Sequence, residues 1–385
     1  MHLNNMTIYL DISAAVHRRA GLGRYAESLT RALVAAHPSR YALFYNRERG
    51  IEPLVGLEHL PTRTVALGYK PWRMLVWLGQ LARLGFDPLL PNAGLFHATE
   101  HLLPSLKSIP TVLTVHDLIF HHLPAHHKFL NRWYLNLTMP LYCRRANHII
   151  TISNCTRHDL IAAYGLPPEK ITVVYEAAAP RFCPQPGETI TTIRAQYGLP
   201  GRYLLFVGTI EPRKNLTRLL SAFETAYAEG LTDALVIVGK QGWLYEGFFA
   251  RLEQSPANGA VLFPGYVPDA DLPVIYAGAQ ALILPSLYEG FGLPVLEAMA
   301  CGTPVTCSNT SSLPEVAGDA ALLFDPGNVE SITAALRRLL SDTELRLALG
   351  QRGFEQAARF SWNRVAAETE AVYDAVLEGK TKRGI

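Results

Sequence analysis

With 385 residues, 49% of them hydrophobic and 18% charged, the chain is long enough for two domains with separate cores and too apolar for a disordered or fibrous protein. The formal net charge is only +2, yet residues 1–180 hold 18 Lys and Arg against 11 Asp and Glu (+7), while residues 181–385 hold 17 against 22 (−5). No Lys/Arg-dense run accompanies the basic half, which speaks against nucleic acid and leaves an anionic acceptor or the anionic face of a membrane as its natural partner.

Met1 to Met6 lead straight into a strand-like run at 7–10 without a signal-peptide pattern, and no uncharged apolar stretch of about 18 residues follows, so a cytosolic protein is expected. The five cysteines, Cys143, Cys155, Cys183, Cys301 and Cys307, lack the paired spacing of a zinc site or disulfide framework and are read as reduced and mostly buried. Apolar runs at 8–11, 42–45, 95–98, 111–115, 148–152 and 171–174 alternate with helix-length amphipathic stretches. A second series lies at 203–207, 234–238, 261–263, 281–284, 304–306 and 321–324. Both series have the pattern of a parallel sheet covered by helices, so the expected class is α/β with two Rossmann-like domains. The proline-rich, aperiodic stretch 179–187 is the natural linker. The domains are therefore expected at 1–178 and 199–360, with 179–198 as linker and 361–385 as a final helical segment. That helix, about 361–378, starts with a serine cap and carries Val365, Ala366, Val372, Tyr373, Val376 and Leu377 on one side; residues 380–385 should fray.

Along the first half, Gly21-Leu-Gly23-Arg24-Tyr25 opens a helix to about residue 36, and its glycines would let backbone N–H groups approach an anion. With Ala26 it also spells Gly-x-Gly-x-x-Ala, a weak dinucleotide fingerprint. About ten residues separate Asp11 from Gly21, and the second strand ends in Asn46-Arg47 rather than an acidic residue, so an NADP-dependent oxidoreductase is an alternative with poor context. The segments 70–84 and 129–135 are apolar and aromatic with basic punctuation, including Trp72, Trp77, Arg132 and Trp133, as in interfacial helices and also in core helices. His116 ends the buried strand 111–115 and is followed by Asp117. The cluster His121, His122, His126 and His127 lacks a regular ligand spacing and is read as a mobile loop beside the acceptor rather than a metal site.

In the second half, Gly208-Thr209-Ile-Glu-Pro-Arg213-Lys214-Asn215 follows a strand ending at Val207, so two cations stand where α/β sheets bind ligands. They are suited to neutralising a diphosphate, or else they are solvated charges at a helix start. Asp269-Ala-Asp271 spells a metal-binding Asp-x-Asp, but it begins a helix, so capping is the expected role. The densest segment is Pro285-Ser-Leu-Tyr-Glu289-Gly290-Phe291-Gly292-Leu293-Pro-Val-Leu-Glu297. A buried strand precedes it and Pro294 suits the first turn of a helix to about residue 299, whose N–H groups and dipole favour a phosphate. Glu289 would lie near a reacting sugar and Glu297, about two turns along, could reach a ribose. On the other reading Glu289 caps the helix, Glu297 is solvated and the glycines only let the strand turn.

The Glu289-to-Glu297 run resembles the Glu-x7-Glu donor site of the retaining glycosyltransferases of family 4. Gly208 to Asn215, His116-Asp117 and Gly21 to Tyr25 match further elements in the same order over nearly the whole chain. The resemblance implies a GT-B fold: two Rossmann-like domains facing across a cleft, with the terminal helix crossing back onto the first. It implies that His116 faces the donor sugar and meets it or the acceptor through its ring or carbonyl, that Gly21 and Gly23 border the diphosphate and acceptor, and that Tyr266 and Val267 touch the nucleobase through their backbone. Many relatives carry an arginine where this chain has Thr209, so Arg213 is expected to take that role beside Lys214. The implied reaction is metal-independent and needs no cofactor. It moves a sugar, first mannose from GDP-mannose, to a glycan or lipid-linked glycan. Where the segments 70–84 and 129–135 are interfacial rather than core helices, they add peripheral association at the inner face of a membrane. The leaving phosphate takes the acceptor proton on the same face of the sugar, Glu289 stabilising the oxocarbenium-like state; double displacement through Glu289 is the mechanistic rival. A GT-B epimerase or phosphorylase and a non-catalytic sugar-binding protein compete with this reading.

Overall fold

The computed structural model describes residues 6–48, 50–51 and 53–383. The chain divides into two compact units, the first of Met1–Leu118, Phe129–Glu176 and Ser361–Ile385, the second of Ile119–Lys128 and Ala177–Phe360.

The first unit is built on β1 (Thr7–Asp11), β2 (Tyr41–Asn46), β3 (Thr62–Val65), β4 (Ala93–Ala98), β5 (Thr111–Val115), β6 (His148–Thr151) and β7 (Ile171–Val173). All pair in parallel, in the order β3-β2-β1-β4-β5-β6-β7. Runs such as Thr-Val-Leu-Thr-Val in β5 are buried end to end, as a sheet covered on both faces requires. Strand β3 is absent from the apolar runs above, because its Thr-Arg-Thr-Val is largely exposed and carries no apolar signal. The helices of this unit are α1 (Ser13–Val16), α2 (Ala20–Ala36), α3 (Tyr69–Ala82), α5 (Phe129–Arg145), α6 (Asn154–Tyr164) and α15 (Trp362–Arg383); α4 (Ile119–His122) belongs to the second unit.

Helix α15 buries Val365, Ala366, Val372, Tyr373 and Leu377. Within the first unit it packs on α2, its Tyr373 hydroxyl lies 2.6 Å from His97 Nδ1, and Tyr41 donates to Glu370. Ser361 Oγ accepts from Arg364 N at 3.3 Å. The helix continues five residues past the expected end at 378, to Arg383; of the stretch expected to fray, 384–385 lie outside the described residues.

The second unit holds β8 (Tyr203–Val207), β9 (Ala234–Val238), β10 (Val261–Leu262), β11 (Ala281–Leu284), β12 (Val305–Ser308) and β13 (Ala321–Phe324), all parallel, in the order β10-β9-β8-β11-β12-β13. Around them pack α7 (Gly187–Gln196), α8 (Leu216–Ala228), α9 (Glu246–Glu253), α10 (Leu272–Gly278), α11 (Leu293–Ala300), α12 (Leu313–Ala317), α13 (Val329–Ser341) and α14 (Thr343–Ala357). Helix α7 forms inside the stretch expected to be linker; it has no buried stripe, packs on α10 and is tied there by Arg194 donating to Gly278 O. In both sheets the winding direction reverses once, between β1 and β4 and between β8 and β11. Such a switch point opens a crevice at the carboxyl ends of the strands.

Three of the cysteines, Cys143, Cys301 and Cys307, are buried; Cys155 is half-buried and Cys183 exposed, and all five are free thiols. Trp72, read among the interfacial residues, is instead 1% exposed and wedged against Phe44 and Phe86. Trp72 therefore has no surface to present to an interface.

Candidate active site

In the second unit the loops leaving β8 and β11 meet at the switch point. A backbone bond from Leu287 N to Arg213 O (2.9 Å) ties them, and Asn215 Nδ2 donates to Pro285 O at 3.1 Å and to Pro326 O at 2.8 Å. This brings together Glu289, Arg213 and Lys214, which are some 75 residues apart along the chain. Lys214 Nζ lies 2.5 Å from Glu289 Oε1, and Arg213 donates to Glu289 Oε2 at 2.7 Å and to Tyr288 O at 2.8 Å. Arg213 also pairs with Glu211 at 2.5 Å. Ser286 Oγ donates to Glu289 Oε1 at 2.5 Å, so one carboxylate oxygen receives a hydroxyl and an ammonium.

Burial would raise the Glu289 carboxyl, but Arg213 and Lys214 outweigh it and hold the group down to about 2. Glu289 is therefore a carboxylate at any working pH. Lys214 is lowered by burial first and by Arg213, with Glu289 acting the other way. Such a cluster is poor at adding net stability, since desolvation consumes most of the Coulomb gain, but breaking it is costly. Its buried positions at strand ends suit it to holding a shape for a ligand.

Gly290, Phe291 and Gly292 are buried, Leu293 half-buried, and Gly292 is the cap of α11 with Pro294 in the first turn. Ser311 Oγ accepts from Glu289 N at 2.9 Å, and Ser312 Oγ donates to Glu289 O at 2.9 Å and Phe291 O at 2.7 Å, so the glycine loop is fixed from below. Glu297 lies on the second turn of α11, buried, with Oε2 accepting from the Tyr276 hydroxyl at 2.7 Å. It is not solvated, and one of its oxygens is already engaged. Thr209 lies half-buried after Gly208; Val267 is half-buried, and Tyr266 is 87% exposed beyond β10.

Four expectations change. Asp271 occupies the cap position of α10 without capping it: its carboxylate accepts from Tyr197 Oη at 2.6 Å, and Asp269 pairs with Arg181 at 3.0 Å. The histidine segment 121–127 is not a loose loop: α4 and a short turn at Pro124–His126 seat it on the second unit. There the His122 ring stacks on Tyr288 at 5.1 Å and Trp243 Nε1 donates to His126 O at 2.7 Å. Gly21 and Gly23 lie inside the first turns of α2 rather than in a loop ahead of it. The Gly23 N–H is used by Arg19 O, and a Cβ on Gly23 would sit 2.8 Å from Ala14 O, so this glycine serves the packing of α1 on α2. With α1 between β1 and α2, the dinucleotide turn does not form either.

The fourth change concerns His116, which follows β5 in the first unit. Its Nε2 is 2.9 Å from Thr99 O, its Nδ1 is 3.4 Å from Glu176 Oε1, and its carbonyl accepts from Thr156 Oγ1 at 3.1 Å. Both ring nitrogens thus have protein partners, and the carbonyl already accepts one hydrogen bond. Both ring partners are acceptors. Burial opposes a charge on the ring, while Glu176 and Thr99 O act the other way and raise the group above its ordinary value.

Beside it, Asp11 ends β1 and Glu100 follows β4, both buried at the first unit's switch point. Arg19 donates to Glu100 Oε2 at 2.6 Å, while Asp11 Oδ2 and Glu100 Oε1 find no hydrogen-bond partner among the described residues. Burial, then Glu100, pushes the Asp11 carboxyl up to about 7. Folding therefore takes up a proton above the ordinary Asp range, and stability falls as pH rises from about 4 to 7, with a slope approaching ~1.4 kcal/mol per pH unit. Asp11→Asn keeps the acceptor for Ser13 N and removes the charge. Its advantage in melting temperature over the wild type should be several degrees larger at pH 8 than at pH 5; equal differences at both values would refute this origin.

Sequence reasoning named neither Glu211, Ser286, Ser311 and Ser312 nor Glu176. Glu211 stood in view two residues before Arg213, whereas the serines carry no distinguishing spacing. A cavity of about 610 Å³ in the second unit, lined by Gln280, Gly302 and Pro304 among others, opens at the amino ends of the strands and is not this site.

Residues 189–356 match the family model described as Glycosyl transferases group 1, and residues 19–178 match that of Glycosyltransferase Family 4. The chain is 35% identical over 281 residues to the O-antigen chain mannosyltransferase B of Escherichia coli, covering 72% of this chain and 74% of that protein. It is 31% identical over 227 residues to a serotype-specific mannosyltransferase of Escherichia coli, covering 58% of this chain and 28% of the longer relative. Among solved structures it is similar to a sucrose-phosphate synthase from Thermosynechococcus elongatus, with a TM-score of 0.78, 19% identity and 97% and 100% coverage. That degree of identity speaks to the fold, which is GT-B.

Proposed function

Since the chain belongs to the group 1 glycosyl transferases, with a family 4 amino-terminal half, we propose that it moves mannose from GDP-mannose onto a glycan or lipid-linked glycan acceptor, with retention and without a metal ion. The single observation carrying this reading is the cluster of Arg213, Lys214 and Glu289 at the switch point between β8 and β11. The identity of the sugar draws on the mannosyltransferase relatives.

In the reaction the C1–O bond to the β-phosphate breaks and the acceptor oxygen bonds to C1 from the same face. The acceptor proton passes to the departing phosphate. Arg213 and Lys214 turn from Glu289 toward that phosphate as its charge grows, which is the electrostatic contribution that usually dominates such catalysis. Glu289, thereby released on one side, accepts from sugar hydroxyls and stabilises the positive charge developing at C1. The first turn of α11 offers its N–H groups to the diphosphate. His116, its ring set between Thr99 O and Glu176, is held in place at the end of β5 in the acceptor-binding unit. Glu297, held by the Tyr276 hydroxyl, is assigned to the nucleoside ribose.

A thermal-shift series with GDP-mannose, GDP and UDP-glucose, with and without excess EDTA, tests this. At a hundredfold excess over Kd a ligand of the folded state adds about 2.7 kcal/mol, enough for a clear rise in Tm. GDP-mannose should give the largest rise, unchanged by EDTA, and transfer should yield the α-anomer by NMR. A rise with UDP-glucose alone would overturn the donor assignment. Turnover lost in EDTA and restored by magnesium would overturn the metal-free mechanism.

A further inference from the structure

Two helices of the first unit present apolar side chains that nothing in the unit covers. Met74, Leu78 and Leu81 form a stripe along α3, and Leu130, Trp133 and Leu137 form another along α5, each between 44% and 78% exposed. The two stripes belong to one surface. Trp77 packs edge-on against Trp133 at 6.0 Å, and Arg73 donates to Asn131 Oδ1 at 3.1 Å, locking α3 to α5. Six large apolar groups side by side exceed the scattered exposure ordinary for a surface.

The charges on the two helices all have one sign, and the Asp87 carboxylate beyond the end of α3 is taken up by the N–H groups of Lys107 and Ser108. Helices α3 and α5 carry Lys70, Arg73, Arg132, Arg144 and Arg145 and not a single Asp or Glu. At the carboxyl end of both helices, next to Leu81, a cavity of about 300 Å³ is lined by Arg83, Lys107 and Arg145 together with Gln80, and no carboxylate lines it. A protein partner or a second copy of this +7 half would have to bring its own acidic complement, and a second copy would bring the same cations. An anionic leaflet supplies both halves of the match at once: acyl chains for the stripes and phosphates for the cations. No helix among the described residues is long and apolar enough to cross a membrane, so the contact is one of lying on the surface.

We propose that α3 and α5 form a docking face for an anionic lipid surface, with the Arg83–Lys107–Arg145 cavity receiving a lipid phosphate. The proposal is independent of the donor chemistry, because its readout is lipid binding rather than turnover. The test floats the full chain with vesicles of equal parts phosphatidylglycerol and phosphatidylethanolamine, and with phosphatidylcholine alone. The chain should float with the first at least about tenfold more than with the second, and less in high salt. Leu78→Glu/Leu130→Glu, both at exposed positions and so expected to melt as the wild type does, should lose flotation about tenfold or more. Arg83→Ser/Lys107→Ser should keep weak binding but lose the preference for phosphatidylglycerol. Absence of flotation, or full flotation of the Leu78→Glu/Leu130→Glu variant, would sink the proposal. So would light scattering showing that this variant dissociates a lipid-free dimer, since the face would then be a contact between copies.

Discussion

Glu289→Gln is expected to lower kcat by about two to three orders of magnitude at saturating donor, the range seen when one preorganised charge-stabilising group is removed. Glutamine preserves the shape and can still accept from Lys214 and Ser286, so the loop geometry should survive. What disappears is the charge. Arg213 and Lys214 then remain desolvated with only Glu211 to answer them, and the positive charge at C1 loses its partner. Because Glu289 is held down to about 2, its depressed pKa contributes stability above its ordinary carboxylate range, lost only as pH falls toward 2. The wild-type rate should accordingly show no limb from this group between pH 5 and 8. The variant should also melt lower, since uncovering buried charges costs a few kcal/mol. Rates should therefore be compared well below both melting temperatures. A kcat within threefold of wild type under those conditions would remove Glu289 from the chemistry.

Gly239→Ala is expected to be the most damaging small substitution in the second unit. Gly239 follows β9 and has φ near +157°, and a Cβ there would sit 1.9 Å from Gly208 O, the backbone of the neighbouring loop. No rotamer relieves a contact of Cβ with main chain. Gly208 is itself pinned by a bond from its N to Val238 O at 2.9 Å, so the ends of β8 and β9 must part and carry Thr209 and the following cations with them. A loss of about 3 kcal/mol or more follows, or roughly 6–12 °C in Tm for a unit of this size, with donor affinity falling in parallel. Gly247→Ala is the control. It lies in α9 with nothing within 4 Å of its would-be Cβ, and should stabilise by about 0.5–1 kcal/mol. Calorimetry showing equal effects would mean that the approach of Gly239 to Gly208 is easily relaxed.

Much of the architecture was legible because buried parallel strands announce themselves as short apolar runs between turn residues; β5, β8, β9 and β11 all do. β3 was not, because an exposed edge strand needs no apolar face. The sequence also indicated that Arg213 and Lys214 stand at one strand end and Glu289 at another. It did not indicate that the two ends are neighbours, which depends on β11 crossing over to lie against β8. Polar assignments suffered most. Asp271 reads as a cap until Tyr197, 74 residues away, takes its carboxylate, and His116 reads as a sugar contact until Thr99 and Glu176 take its ring. The serines that brace the Glu289 loop come from β12's far side and are invisible to any local pattern. Trp72 shows the same limit among apolar groups: spacing puts it on α3, but only packing decides which side of the helix meets solvent.

The four charged groups that converge beside Tyr288 sum to zero, two carboxylates against two cations. Under the proposed reaction, an incoming nucleotide therefore meets no deep electrostatic well. It has to trade places with a resident anion, and its net gain is the difference between two pairings rather than the full strength of one. When the sugar has gone, the same trade runs in reverse and the resident anion evicts the spent nucleotide. Resting neutrality of this kind trades some grip on the donor for a quick exit of the by-product, which suits a catalyst that must cycle many times against a pool of its own product.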